Sequence, residues 1–339
     1  MTSFERLSAH EFTRSLLLLV DYLAQAQRST SRQWASWNIN PITSSGNNLI
    51  YRATGLLGDF AIKFTIKDYR DRAGREYAAL KALEDANLEI APKPVFLNRT
   101  RYAQPVVVQT WLEGKVSTNL PSQADEWLKL LTHLSTAHCV TPATTNVRLR
   151  KAVINFVSAN EGKRWIKQQL QRIPLNRQPA RLQSLLKELD SRRYPLWSAP
   201  ALGLCRADAN ILNFVRRRKS WASVDWENSG WGDPAFELAD LITHPSYLGV
   251  SQRRRHWIIN TFCKLRSNDA DAAARISVYY ELLLTWWAVR FAIFLYEIPR
   301  GLDRRLVDHR SDWQLEAQTM YRQYAGLAEA SLALRDLRG

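Results

Sequence analysis

The sequence predicts an α+β chain of two lobes, a small antiparallel sheet with one main helix followed by a larger, mostly helical lobe. Three observations carry this expectation. A length of 339 residues exceeds one ordinary core of roughly 100–200 residues. Short aliphatic and aromatic runs separated by turn chemistry are confined to the first third of the chain. From about residue 123 onward apolar residues recur at helical spacing, with one strand-like, loop-rich break at 200–233. The expected division is residues 1–113, a leading helix and the sheet lobe, and residues 114–339, the helical lobe.

Residues 5–28 read as an amphipathic docking helix, because Phe12, Leu16, Leu19, Leu23 and Ala26 recur at helical spacing before the polar break Arg28-Ser29-Thr30-Ser31. Strands are expected at 49–54, 59–66, 94–97 and 106–112, separated by turn residues at 44–48 and 55–58. A helix from about 70 to 86, with Tyr77, Leu80 and Leu83 on one face, interrupts them. No internal repeat or low-complexity segment is present.

Hydrophobic residues at 46% and charged residues at 23% are globular usage, so disorder is excluded. A net charge of +15 leaves a polyanion, an acidic membrane surface or an anionic substrate as candidate partners. That charge divides as +3 in residues 1–113 and +12 in the rest. Between Arg148 and Arg193, 12 basic residues face only Glu161, Glu188 and Asp190, which reads equally as a solvated helical face or as a basic wall beside a site. Cys139, Cys205 and Cys263 are an odd set without paired spacing, so neither a disulfide framework nor a zinc site is expected and a reducing, cytoplasmic location fits. The run at 16–20 falls far short of the ~20 apolar residues of a membrane span, no signal peptide is read, and no membrane partner is expected.

The densest polar constellation lies at 204–241. Asp208 and Asn213 are five residues apart, and Asp225 follows twelve later, directly after an apolar run. A hairpin over this stretch brings the three oxygen-bearing side chains to one end. Asn213 and Asp225 suit Mg²⁺, a hard cation that takes a few protein oxygens beside water and phosphates. Asp208 is then free to accept a proton, although any one of the three alone would be read as a turn residue. In the first lobe, Lys63 sits inside the apolar strand Phe60-Ala61-Ile62 and needs an anionic partner, for which Glu76 on the following helix is placed. Lys67 has the same strand parity and competes for the role.

The stretch resembles the aminoglycoside phosphotransferase and choline kinase family, small-molecule kinases of protein-kinase-like fold. Asp208 and Asn213 match the family's His-x-Asp-x-x-x-x-Asn, Asp225-Trp226 its strand end, and the run from Gly232-Asp233-Pro234 to Glu237-Leu238-Ala239 its third motif. The resemblance implies ATP and Mg²⁺ as cofactors, with Asp208 acting on the acceptor hydroxyl and Asn213 and Asp225 holding the metal. It also implies Lys63 and Glu76 at the phosphates, a phosphate-covering turn at Ser45, Gly46 and Asn47, and adenine bonded by the backbone from Gln109 to Trp111. Asp233 and Asp240 would brace the loop and cap the next helix, and His138 would be a packed, hydrogen-bonded residue. The aromatic segment around Trp286, Trp287, Phe291 and Phe294 could resemble the choline kinases' cation cage, but helical spacing makes it mainly core.

The family's usual histidine is replaced by Arg206, which cannot cycle protons. It either packs in the histidine's place, paired with an acidic neighbour, or adds charge beside the phosphoryl group. The expected function is transfer of the γ-phosphoryl group of ATP to a hydroxyl of a small molecule. The basic second lobe points towards a neutral or anionic acceptor. Arg206 and the single-glycine turn motivate an alternative, a catalytically inactive nucleotide-binding scaffold. A third reading, nucleic-acid binding by the basic lobe, lacks any recognised signature.

Overall fold

The computed structural model describes residues 9–26, 30–42, 47–303, 305–306 and 311–336. Helix α1 (Ala9–Ala26) leads into the strands β1 (Arg32–Trp34), β2 (Trp37–Pro41), β3 (Leu49–Gly55) and β4 (Gly58–Phe64). Helix α2 (Arg72–Asp85) separates these from β5 (Pro94–Asn98) and β6 (Val106–Thr110). The six strands form one antiparallel sheet in the order β1-β2-β3-β4-β6-β5. β1 was not legible in the sequence, because its tight turn uses Ala35 at φ 49 where a glycine or asparagine would have announced it.

Strand alternation assigns the two faces of this sheet. Phe60, Ile62 and Phe64 on β4 pack in a core with Leu16, Leu19, Val20 and Leu23 of α1. Burying each such aliphatic side chain stabilises by about 1.5–3 kcal/mol, so the docking helix is anchored by its sequence stripe. Lys63 has the opposite parity, and its side chain meets α2 instead. Lys67 lies beyond the strand and is exposed.

After β6 the chain passes Gly114 and enters β7 (Lys115–Val116), which pairs with β9 (Phe214–Arg216); β9 in turn pairs with β10 (Trp221–Ser223). β8 (Gly203–Cys205) pairs with β11 (Gly230–Gly232) below this hairpin's base. Around them pack α3 (Ala124–His138), α4 (Ala159–Leu170), α5 (Ala180–Ser191), α6 (Pro234–Thr243), α7 (Gln252–Leu265), α8 (Ala272–Glu297) and α9 (Trp313–Asp336). Among the described residues α8 and its continuation to Arg300 is the one helix long and apolar enough to cross a membrane, and 72% of its most apolar window is buried in the protein. In the basic segment, Lys151 pairs with Glu161, Lys167 with Asp190, Arg172 with Glu297 and Arg181 with Glu329. Four of the segment's 12 basic residues therefore belong to a paired, solvated face, where each pair contributes at most about 1 kcal/mol.

Gly114 takes φ +143, and a Cβ there would lie 2.5 Å from Val215 Cγ1 and 2.8 Å from the Arg216 carbonyl oxygen. Gly114→Ala is expected to cost about 1–3 kcal/mol through the clash and the positive φ. Urea denaturation checks this, and an unchanged midpoint would contradict it.

Candidate active site

The centre of the cleft is one ammonium among three carboxylates. Lys63 Nζ lies 2.7 Å from Glu76 Oε2 and 3.1 Å from Glu227 Oε2, and it also contacts Asp225 Oδ1. The pair foreseen between Lys63 and Glu76 is thus present, with both side chains almost fully buried. Burial by itself would lower Lys63, but Asp225, Glu227 and Glu76 outweigh it and hold the ammonium well above its usual pKa. Burial pushes Glu76 up to about 7 and Asp225 up to about 6, in both cases against the pull of Lys63. Glu227 is held below its usual value because Lys63 and Arg72 outweigh the effect of its burial.

Glu227 was missed by the sequence reading, and it joins three elements. It accepts from Lys63 on β4, from Arg72 at the start of α2 and from Asn48 Nδ2 at 2.7 Å, just ahead of β3. The available signal was its place two residues after Asp225, with the buried Trp226 between them. Arg72 and Asn48 carry no signal of their own, since an arginine entering a helix and an asparagine in a turn are ordinary.

The second half of the site is the segment from Arg206 to Asn213. Glu237 of α6 holds its start, accepting from the backbone amides of Arg206 at 2.6 Å and Ala207 at 3.0 Å. The other Glu237 oxygen lies 2.5 Å from His138 Nε2, so His138 is the packed, hydrogen-bonded residue expected of it. Ala207 is at φ 55 and Asp225 at φ 63, left-handed conformations that cost about 1–2 kcal/mol each. Ala207 precedes the candidate Asp208 and Asp225 is itself a candidate, the setting in which such strain persists. Asp208 Oδ1 accepts from the Asn210 amide at 3.0 Å, which aims the carboxyl, and burial raises its pKa against the opposing charge of Arg206.

Among the described residues Arg206 pairs with no carboxylate, so of the two alternatives the packing is present without the acidic partner. Its side chain is buried, with the guanidinium 4.4 Å from the Phe214 ring and donating to the Val224 carbonyl at 3.4 Å. It packs where a ring would pack, because an aromatic face and a carbonyl suffice for a planar, delocalised cation.

At the hairpin base the Val224 amide donates to the Asn213 carbonyl at 2.9 Å, which brings Asn213 and Asp225 to one end of the β9–β10 ladder. The Asn213 side chain is half-buried and makes no hydrogen bond within the described residues, and the Asp225 side chain is 30% exposed. An unengaged amide oxygen beside a cleft-facing carboxylate is a hard, oxygen-only donor set, and it fits Mg²⁺.

Ser45 and Gly46 lie outside the described residues; Asn47 is exposed, and its carbonyl accepts from the Leu306 amide at 3.2 Å. Gln109 is buried in β6, and the Trp111 amide donates to the Asp59 carbonyl at 2.8 Å. Strand pairing thus continues past β6 and removes the Trp111 N–H from those open to an adenine ring. Asp233 caps α6 through the Ala235 amide and pairs with Arg275, as a brace should.

Asp240 does not cap. It sits inside α6, half-buried, and its carboxyl makes no hydrogen bond or ion pair within the described residues. Burial, helped by the charges of Asp208 and Glu237, pushes it up to about 8. An acid raised in the folded state releases its proton earlier in the unfolded chain, so wild-type stability falls as pH rises from about 4 to about 8. Asp240→Asn is expected to lack that part of the decline, gaining on wild type between pH 5 and pH 8. Parallel denaturation midpoints at the two values would contradict it.

The sequence matches the family model for the phosphotransferase enzyme family over residues 38–265, about two thirds of the chain. No curated protein sequence matches. Among solved structures, the choline kinase of Cryptosporidium parvum superposes with a TM-score of 0.62 at 10% identity, covering 96% of this chain and 97% of that one. A choline/ethanolamine kinase family protein from Mesorhizobium loti gives 0.59 at 15% identity, with coverages of 94% and 98%. A spectinomycin phosphotransferase in complex with ADP and spectinomycin gives 0.58 at 13% identity, with coverages of 96% and 99%. At such identities these likenesses establish the fold, the bilobal protein-kinase-like architecture.

Proposed function

From the premise that the chain belongs to the phosphotransferase enzyme family, we propose that it transfers the γ-phosphoryl group of ATP to a hydroxyl of a small molecule. The observation that carries this reading is the convergence on one cleft of the Lys63–Glu76 pair, Asp225 and Asn213, with Asp208 five residues before Asn213. Lys63 and the turn containing Asn47 hold the phosphates, and the backbone leading out of β6 receives the base. Asn213 and Asp225 would hold Mg²⁺, which supplies positive charge on the phosphate oxygens. Asp208 aligns the acceptor hydroxyl and takes its proton as the oxygen bonds to the γ-phosphorus and the bridging bond to ADP breaks. A carboxyl whose pKa is raised by burial is a better proton acceptor than an exposed one. The free thiols of Cys139, Cys205 and Cys263 fit the cytoplasmic setting that belongs to the same proposal.

The test is nucleotide consumption with ATP and GTP against a panel of sugars, polyols, hydroxy acids, amino alcohols, aminoglycosides and nucleosides. Acceptor-dependent release of ADP is expected. Nucleotide-dependent thermal stabilisation with no turnover on any acceptor would replace this reading by the inactive scaffold.

A further inference from the structure

A continuous wall links the Asp208 segment to the phosphate turn. Ser246 Oγ accepts from the Ile211 amide at 3.5 Å, and the His244 ring lies 5.1 Å from the Trp287 ring of α8. Arg290 follows Trp287 by one helical turn. Its guanidinium stands 4.1 Å from the Phe294 ring, and Arg305 stands 5.2 Å from the same ring. The next residue, Leu306, donates its amide to Asn47 in the phosphate turn at 3.2 Å.

The polar groups along this wall do not balance. Arg172 is satisfied by both oxygens of Glu297, at 2.9 and 2.6 Å, and Arg305 pairs with Asp303 at 3.1 Å. Arg290 has no carboxylate and no hydrogen-bond acceptor within the described residues; its one contact of this kind is the Phe294 ring. Burial together with the charges of Arg172 and Arg305 lowers it to about 10, and Glu297 and Asp303 only partly compensate. A half-buried guanidinium without a counter-ion is costly unless a ligand completes it. Three residues earlier on the same helix, the buried indole N–H of Trp287 also finds no acceptor within the described residues.

We infer that the acceptor carries an anionic group, a carboxylate or a phosphate, that seats on Arg290 beside Phe294 while its hydroxyl is presented to Asp208. This rests on the phosphotransferase reading above. Guanidinium groups favour such oxyanions through paired, charge-assisted hydrogen bonds.

The experiment is calorimetric binding to the full chain in the presence of ADP and Mg²⁺. The probes are D-gluconate and glycerol 3-phosphate, against sorbitol, glycerol and ethanolamine. At least one anion is expected to bind about tenfold or more tightly than its uncharged counterpart. Which anion does so separates the carboxylate from the phosphate form. Arg290→Met should erase the preference and Arg290→Lys should keep part of it, with ADP affinity unchanged in both. If Arg290→Met fails to bind ADP at all, the wild-type preference and its reduction in Arg290→Lys decide. Polyols or ethanolamine binding as tightly as the anions, or Arg290→Met keeping the preference, would overturn the inference. Arg290-dependent anion binding without phosphoryl transfer in wild type would sink the activity and leave the binding site standing.

Discussion

Asp208→Asn is expected to lower phosphoryl transfer by about a thousandfold, within the 10²–10⁴ range for removing a proton acceptor from a reacting group, while ADP affinity and folding stay near wild type. The substitution keeps the size of the side chain and an oxygen able to accept from the Asn210 amide, now 3.0 Å away. The loop is held independently by Glu237 through the Arg206 and Ala207 amides, so its path does not depend on the Asp208 charge. What disappears is the group proposed to take the hydroxyl's proton. The check is kcat on the best acceptor beside ADP titration of both proteins. Residual turnover above a tenth of wild type would remove Asp208 from the role, and loss of ADP binding would show that its charge is structural.

Lys63→Met carries the largest expected effect on stability. The ammonium is buried with Glu76 and Glu227 and contacts Asp225, so its removal leaves like charges facing one another in a low-dielectric site. Breaking a buried ion pair typically costs about 3–5 kcal/mol. The deficit should depend on pH in a defined direction. Glu76 is raised to about 7 even with Lys63 present, and loss of the cation raises it further. The folded variant then binds more protons than its unfolded chain above about pH 4, so its stability falls as pH rises through the neutral range. Denaturation at pH 5 and pH 8 should show a larger deficit at the higher value, and adding Glu76→Gln should restore part of it. Equal deficits at both values would mean that the carboxylates are not held together by this lysine.

The two lobes and their order were legible because they follow from local periodicity. Leu16, Leu19 and Leu23 repeat at helical spacing, and β3, β4 and β6 are short apolar runs between turns. Lys63 was legible for a related reason, since one cation inside an apolar strand requires an anion nearby. Glu227 was not, because its partners Lys63, Arg72 and Asn48 lie more than 150 residues away along the chain and mark no pattern around it. Asp240 was assigned to a cap by position, whereas it lies inside α6, half-buried and without a partner among the described residues.

By itself, then, the sequence determined the architecture and the spacing of Asp208, Asn213 and Asp225, features set by neighbours within a few residues of one another. Only the tertiary structure decided which charges are cancelled. It paired Lys151, Lys167, Arg172 and Arg181 at the surface, gathered three carboxylates on Lys63 and, among the described residues, left Arg290 without a counter-ion. The physical reason is that Coulomb energy and desolvation depend on separation and burial in space, and a count of charges along the chain records neither.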